Sequence, residues 1–373
     1  MKRPRSGHRF ERRKWFALND RPRVNSRVTD DSFFPDISML RSSGTEQQQW
    51  HERAANLAEA RFGRRVFLRA VVEVSNFCRE NCSYCGMRRD NKTLNRLRAR
   101  HDELAQLLIH HRPASVTDVN IQAGEDPVAV REVVLPLIKR LREETSLGIS
   151  VCLGTLSAPL FAELRAAGAT TYIIKFEIGN PAHYAAMRAP GSYSERLAAI
   201  RLLAATGWNV SSGFIAGLPG QGERELLANF ELARNLPLRG CSVSPFIPGD
   251  ETPLSASSAG GIDVTLNSMA ALRLMRPDWI VPAVSALNLA EPGNGYRRGL
   301  RTGANLVTIN LTPTDVRGNY LLYKRDRFIM TEERILSALA AENLVPSRQS
   351  LAGFYDDLSA LGKSNGVPAE AAA

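Results

Sequence analysis

The sequence predicts a (β/α)8 barrel of the TIM type, in the α/β class, with an N-terminal helical extension. Three observations lead there. From residue 66 onward, short β-rich runs alternate with amphipathic stretches, the pattern of βα units around a parallel sheet. Eight such runs can be counted. The chemically unusual residues, a cysteine cluster, a glycine turn and an isolated glutamate, fall directly after different runs, at the strand ends where such a barrel gathers its functional groups.

The expected strands are "VFLRAVVEVS" (66–75), "VTDVNIQAG" (116–124), "GISVCLG" (148–154), "TTYIIKFEI" (170–178), "NVSSGFIAG" (209–217), "GCSVSPFI" (240–247), "IVPAVSAL" (280–287) and "NLVTINLTP" (305–313). Between them, "AVREVVLPLIKRLREET" and "SYSERLAAIRLLAATG" repeat apolar residues at three- and four-residue steps, as amphipathic helices do. Gly168 and Gly207 close helices just before the next strand, where a left-handed cap is expected. "TEQQQWHERAANLAEARFG" reads as a helix over the closed end of the barrel. The expected organisation is a basic, partly disordered arm over 1–45, the barrel over 46–345 and a tail over 346–373 whose end, "SNGVPAEAAA", looks disordered.

At 373 residues the chain can bury a large core. It has no run of 18 apolar residues to span a membrane, and its basic N-terminus lacks the apolar stretch of an export signal, so a cytoplasmic protein is expected. The formal charge is +10, of which +7 comes from residues 1–30, with ten Lys or Arg against three acids. That concentration describes a solvated extension better than a nucleic-acid-binding domain.

Three of the five cysteines fall within "CRENCSYC" (78–85), spaced C-x3-C-x2-C. Such crowding argues against disulfides and for metal or redox chemistry. Structural zinc wants four closed ligands, and an iron–sulfur cubane normally takes four cysteines. Three thiolates on one loop imply an iron with an open position, available to a small molecule. Lys175, two residues before Glu177, shares its side of the strand by the period-two rule and should face the lumen. A lysine there needs an anion: a substrate carboxylate or a salt bridge to Glu73 or Glu177.

The cysteine spacing, with Tyr84 before the last cysteine and a strand before the first, resembles the radical S-adenosylmethionine (radical SAM) superfamily. Across about 47–325, "FLRAVVEVSNFCRENCSYCGMRRDNK", "IQAGEDP", "FEIGNPAHYAAMRAPGSYSER", "SGFIAGLPGQ", "SPFIPGDETPL" and "GANLVTINLTP" resemble its biotin-synthase-like branch, nearest the FeFe-hydrogenase maturases and methylornithine synthases. The resemblance implies that Cys78, Cys82 and Cys85 bind a 4Fe-4S cluster whose fourth iron is chelated by S-adenosyl-L-methionine (SAM). One electron then cleaves the sulfonium, giving a 5′-deoxyadenosyl radical that abstracts hydrogen. It further implies that Tyr84 contacts the adenine, that Gly124 with Gln122 or Glu125 serves the methionyl moiety, that Glu177 serves the ribose or amino group, and that Arg196 pairs with the cofactor carboxylate.

The expected reaction is HydE-like fragmentation or PylB-like rearrangement of a small, carboxylate-bearing or amino-acid-like substrate. Lys175, Ser285 and Tyr323 are the candidate substrate residues, and an electron donor such as flavodoxin or ferredoxin is the implied partner. Two alternatives stand: sulfur insertion of the biotin synthase type, and an RNA- or protein-modifying factor docking through the basic arm. The first is disfavoured because Cys152 alone matches the cysteines of biotin synthase's second cluster, with Ser211 where another is expected. Cys152 and Cys241 are read as small buried residues, and His101, His111 and His183 are assigned no role.

Overall fold

The computed structural model describes residues 33–325 and 328–364. Seven parallel strands, β1 (Arg65–Ser75), β2 (Asp118–Ala123), β3 (Gly148–Cys152), β4 (Thr171–Ile173), β5 (Asn209–Ala216), β6 (Gly240–Pro245) and β7 (Leu306–Asn310), pair in the order β6-β5-β4-β3-β2-β1-β7. The gap between β6 and β7 is filled by residues 280–282 through isolated parallel bridges Gly240↔Ile280 and Pro282↔Leu306. The ring therefore closes as a (β/α)8 barrel with one side reduced to two bridges. That side is the expected strand 280–287. Pro282 has no N–H to give a neighbour, which confines a strand containing it to partial pairing.

The period-two alternation of β1 positions the site. Leu68, Ala70, Val72 and Val74 pack into the main core under the helices. Arg69, Val71 and Glu73 line the lumen. β4 ends earlier than expected because Glu177 takes a left-handed backbone (φ 64°) and Ser212 enters the ladder. The Ser212 hydroxyl donates to Ile174 O at 2.8 Å and accepts from Phe176 N at 3.2 Å.

The helices follow their sequence signals with one interruption. Tyr193–Ala205 starts on a capping box between Ser192 and Glu195, which sets buried Arg196 on the turn facing the barrel mouth. The expected helix in 129–145 is broken into Pro127–Ala129, a π-helical turn Val130–Val134 and Leu135–Glu144. Pro136 cannot donate to the preceding turn, which explains the change of pitch. Gly168 and Gly207 have positive φ, as their capping role requires.

Helix Gly44–Phe62 lies along helix Ile262–Met275, and Phe62 reaches under the barrel. There it meets Phe67, Ile280, Leu306, Leu351 and Tyr355. Leu351 and Tyr355 belong to helix Leu351–Ser364, whose first amide donates to both carboxylate oxygens of Asp118 at 3.0 and 3.1 Å. A two-residue strand, β8 (Val345–Pro346), pairs with the start of β1 and leads into it.

Two expected boundaries are thereby corrected. Residues 346–364 are not a tail, because apolar residues at 351, 354, 355 and 358 form a helical stripe that packs on the barrel floor. Within the expected arm, residues 33–45 belong to the folded body, where helix Ile37–Arg41 buries Met39 and Leu40. The rest of that arm, and the segment expected to be disordered after residue 364, lie outside the described residues. At the same end, buried Arg273 donates to the carbonyls of Gly303, Pro277 and Trp279 and to Asn305 Oδ1, at 2.7 to 3.0 Å. It thus ties the reduced eighth side to the body. Among the described residues no helix is long and apolar enough to cross a membrane.

Candidate active site

Cys78, Cys82 and Cys85 sit on the loop that leaves β1, all reduced and all lining one cavity of about 350 Å³ that runs down the lumen. The turn after β2 presses against them. A Cβ on Gly124 would lie 2.2 Å from Phe77 O and 2.9 Å from Cys78 Cβ, so only glycine allows this approach. The next amide, Glu125 N, donates to Cys78 Sγ at 3.4 Å. Burial pushes all three thiols up, Cys85 to about 12. They are therefore protonated at neutral pH until a metal supplies the positive charge that holds them as thiolates.

Glu125 and Arg196, only 6% and 4% exposed, form an ion pair at 2.9 Å beside this loop. Glu125 also accepts from Thr155 N at 3.0 Å and pairs with Arg79 at 3.3 Å. Its carboxylate lies over Gly154, where a Cβ would come within 2.0 Å of Glu125 Cγ. Burial raises the Glu125 pKa although Arg196 opposes it. For Arg196 burial disfavours the charge, but Glu125 and Tyr184 outweigh that and raise its pKa. Even so, Arg196 Nε has no hydrogen-bond partner, nor does the buried Tyr84 hydroxyl in the same cavity.

Below the mouth, Lys175 and Glu177 both line the lumen, joined by an ion pair at 3.0 Å. Of the anions expected for Lys175, Glu177 is the one it meets; Glu73 instead accepts from Asn310 at 3.1 Å. Lys175 also reaches Ser244 Oγ at 3.4 Å. Tyr323 shares this region, close enough to Lys175 and Ser244 to feel both. Gln122 lines the cavity and accepts from Asn120 at 3.4 Å. Ser285 lies on the rim, exposed, before helix Ala286–Ala290.

Cys152 is not the core residue expected: it ends β3 on the lumen side, where burial pushes its thiol up to about 11. Cys241 is fully buried in the core, as expected. His101, His111 and His183 do not line the cavity. A residue missed in the sequence is Arg69, in the lower lumen. It reaches Thr308 Oγ1 at 3.5 Å, its Nε has no partner, and burial lowers its pKa. The signal was available, since Arg69 stands two and four residues before Val71 and Glu73 on the lumen face of β1.

A larger groove of about 610 Å³ runs between helix Gly44–Phe62 and residues 298–305. It holds no cysteine, and its Arg301 and Glu342 are paired with each other at 2.8 Å, so the lumen is the candidate site. Among the described residues no three His, Cys, Asp or Glu side chains gather closely enough for a single metal ion. Tetrahedral zinc with bonds of about 2.3 Å would need its sulfurs roughly 3.8 Å apart. An iron–sulfur cluster spreads its cysteines wider, and the orphaned polar atoms of Tyr84 and Arg196 fit a polar ligand beside it.

Comparison with known proteins bears on this geometry. Residues 72–233 match the radical SAM superfamily. The chain is 32% identical over 261 residues to the FeFe hydrogenase maturase subunit HydE of Thermotoga maritima, covering 70% of this chain and 74% of that protein. It is 26% identical over 342 residues to 3-methylornithine synthase of Methanosarcina barkeri, covering 90% and 95%. The crystal structure of methylornithine synthase (PylB) superposes with a TM-score of 0.74 at 24% identity over 87% of this chain and 94% of that one.

Proposed function

The chain belongs to the radical SAM superfamily, and from that premise we propose that it uses a single 4Fe-4S cluster and SAM to abstract hydrogen from a small, carboxylate-bearing substrate held in the lumen. It is an enzyme related to HydE and PylB, and enzymes of this superfamily act with a 4Fe-4S cluster, SAM and an electron donor. When bound, the cluster and SAM supply a 5′-deoxyadenosyl radical, which is the difficult chemistry; the protein supplies binding and orientation.

Each part of the site suits a role in that division. Cys78, Cys82 and Cys85 would hold three irons, with the Glu125 N–H directed at Cys78 Sγ as a hydrogen bond that favours the thiolate. Arg196, oriented by Glu125, has an unused Nε with which to meet the SAM carboxylate. Tyr84 would border the adenine, and Gln122 the methionyl group, with Gly124 permitting the tight turn. Glu177 is held by Lys175 and can turn to the ribose or amino group.

The observation that carries the substrate class is Arg69. A guanidinium in the lower lumen with an unpartnered Nε is a costly feature to keep unless an anion completes it. Lys175 and Tyr323 sit higher and would take a second polar group, as an amino-acid-like molecule offers, while Ser285 stands at the entrance. Whether the substrate radical then fragments or rearranges follows from the substrate.

Anaerobic reconstitution tests this reading. The expected product has about four irons per chain and yields 5′-deoxyadenosine from SAM on reduction. Cys82→Ala should lose both. In a screen of small carboxylates, substrates that turn over should lose at least tenfold in affinity with Arg69→Gln, about 1.4 kcal/mol, with deoxyadenosine formation in their absence unchanged. About eight irons per chain would instead indicate a second cluster, and affinity insensitive to Arg69 would remove the carboxylate assignment.

A further inference from the structure

Of the five cysteines, three belong to the cluster loop and Cys241 is closed in the core, which leaves Cys152 as the remaining thiol on the wall of the lumen. The ladder sets its height in the barrel. Gln122 on β2 stands opposite Glu73 of β1 and Cys152 of β3, and all three line the cavity. Two residues further along these strands the chain faces the same way. There Gly124 packs against Cys78, and Gly154 lies under the carboxylate of Glu125, the partner of Arg196. Cys152 is therefore one layer beneath the groups assigned to the cluster and SAM. Arg69 stands four residues before Glu73 on β1, two layers lower.

The thiol thus lies between the cofactor side and the substrate side of the chamber. Burial keeps it protonated at neutral pH, and Glu177, Lys175, Arg69 and Arg196 are all within electrostatic reach of it. An independent sign that this chamber takes a polar ligand is Asn288, wholly buried on the cavity wall. Its Oδ1 accepts from Tyr296 N at 3.1 Å, while its Nδ2 has no acceptor. Tyr296 in turn donates to Thr308 O at 2.9 Å, and the Thr308 hydroxyl accepts from Arg69, whose Nε is also unused. Two buried donors on one run of contacts are costly to desolvate unless a ligand pairs with them.

We propose that Cys152 is the hydrogen-atom donor of the lumen, returning hydrogen to carbon radicals formed there. The proposal rests on the radical SAM reading, in which such radicals arise one layer above the thiol. An S–H bond is weaker than an aliphatic C–H bond, so the transfer runs downhill. The S–H bond breaks and a C–H bond forms; the carbon radical is reduced by one hydrogen atom, and the sulfur is oxidised to a thiyl radical. One electron from the carrier that serves the cluster and one proton from solvent then restore the thiol. A turnover that ends this way consumes two electrons, one to cleave SAM and one to reduce the thiyl.

The test uses the reconstituted full chain, equilibrated in heavy water and given SAM and titanium(III) citrate with no other substrate. The thiol then carries deuterium, whereas carbon-bound hydrogens of the protein do not exchange, so the isotope in each molecule of 5′-deoxyadenosine identifies its source. Wild-type product should gain a single deuterium by mass spectrometry, through successive turnovers. Cys152→Ala and Cys152→Ser should both give unlabelled deoxyadenosine. In the metal-free chain, methyl methanethiosulfonate at alkaline pH should modify Cys152 and spare Cys241, which checks access to the sulfur without any turnover. The proposal is overturned by unlabelled wild-type product, by label that persists in Cys152→Ala, or by loss of label in Tyr323→Phe, which would assign the donor to a phenol. It is equally overturned if neither Cys152 variant forms deoxyadenosine, or if the reagent spares Cys152. Iron content and the total deoxyadenosine from wild type report on the radical SAM reading independently of the label.

Discussion

The two ends of the barrel each bury an arginine, and they use it differently. At the floor, Arg273 is fully buried and spends its guanidinium on three carbonyls and one amide oxygen. At the mouth, Arg196 is nearly as buried but is held by a carboxylate and keeps Nε unsatisfied. The first arrangement is closed and has nothing left to bind. The second leaves a donor unused, as expected where active sites occupy the C-terminal face of a barrel and stability the other.

The largest effect should come from breaking the floor. Arg273→Met leaves several buried carbonyls without a donor and should cost about 4 kcal/mol of unfolding free energy. Urea denaturation would measure this, while cluster binding in the folded fraction persists. A loss of SAM affinity with full stability would erase the contrast.

Asp118 sharpens the comparison, because it is a floor residue under electrostatic strain. Burial raises its pKa to about 6, against the hydrogen bonds from Thr117 and Leu351 and the charge of Arg69. The folded state then binds more protons than the unfolded chain between about pH 4 and 6, so stability falls as pH rises through that window. The loss amounts to about 3 kcal/mol and persists at higher pH. Asp118→Asn keeps an acceptor for Leu351 N–H and should flatten this slope in denaturation curves taken from pH 4 to 7. An unchanged slope would show that the titration belongs to another group.

The smallest effect is expected at the mouth. Arg196→Lys keeps a charge for Glu125 but loses the planar fork, and SAM affinity by calorimetry should fall about tenfold, or about 1.4 kcal/mol, with little change in melting temperature. If stability fell as far as in Arg273→Met, Arg196 would be a structural residue like its counterpart.

The barrel was legible because alternation and helical period are strong signals: six of its sides formed within a few residues of their expected limits, and β4 formed at its expected start but stopped five residues short. The cysteine loop, "QAGEDP" and Arg196 were legible as a recurring pattern of blocks. What was not legible depends on contacts distant in sequence. The segment around Pro282 has the apolar character of a strand but cannot complete a ladder. Helix Leu351–Ser364 was hidden by its terminal position, and its burial depends on Phe62 and Phe67 from the other end of the chain. Arg69 looked like a lone charge in an apolar run, and Arg273 like one polar position of a helix; only the ring closure and the helix packing show that one faces the lumen and the other is buried.

The helix under the barrel matters for containment. Leu351 and Tyr355 line the lower end of the cavity, so the chamber has a stopper made from helix Leu351–Ser364. A carbon radical takes hydrogen from whatever it meets, solvent additives and buffer included. Ending the chain before Leu351 would turn a sealed vessel into an open pipe. The first casualty would then be fidelity, seen as deoxyadenosine formed without matching product, before any loss in the capacity to cleave SAM.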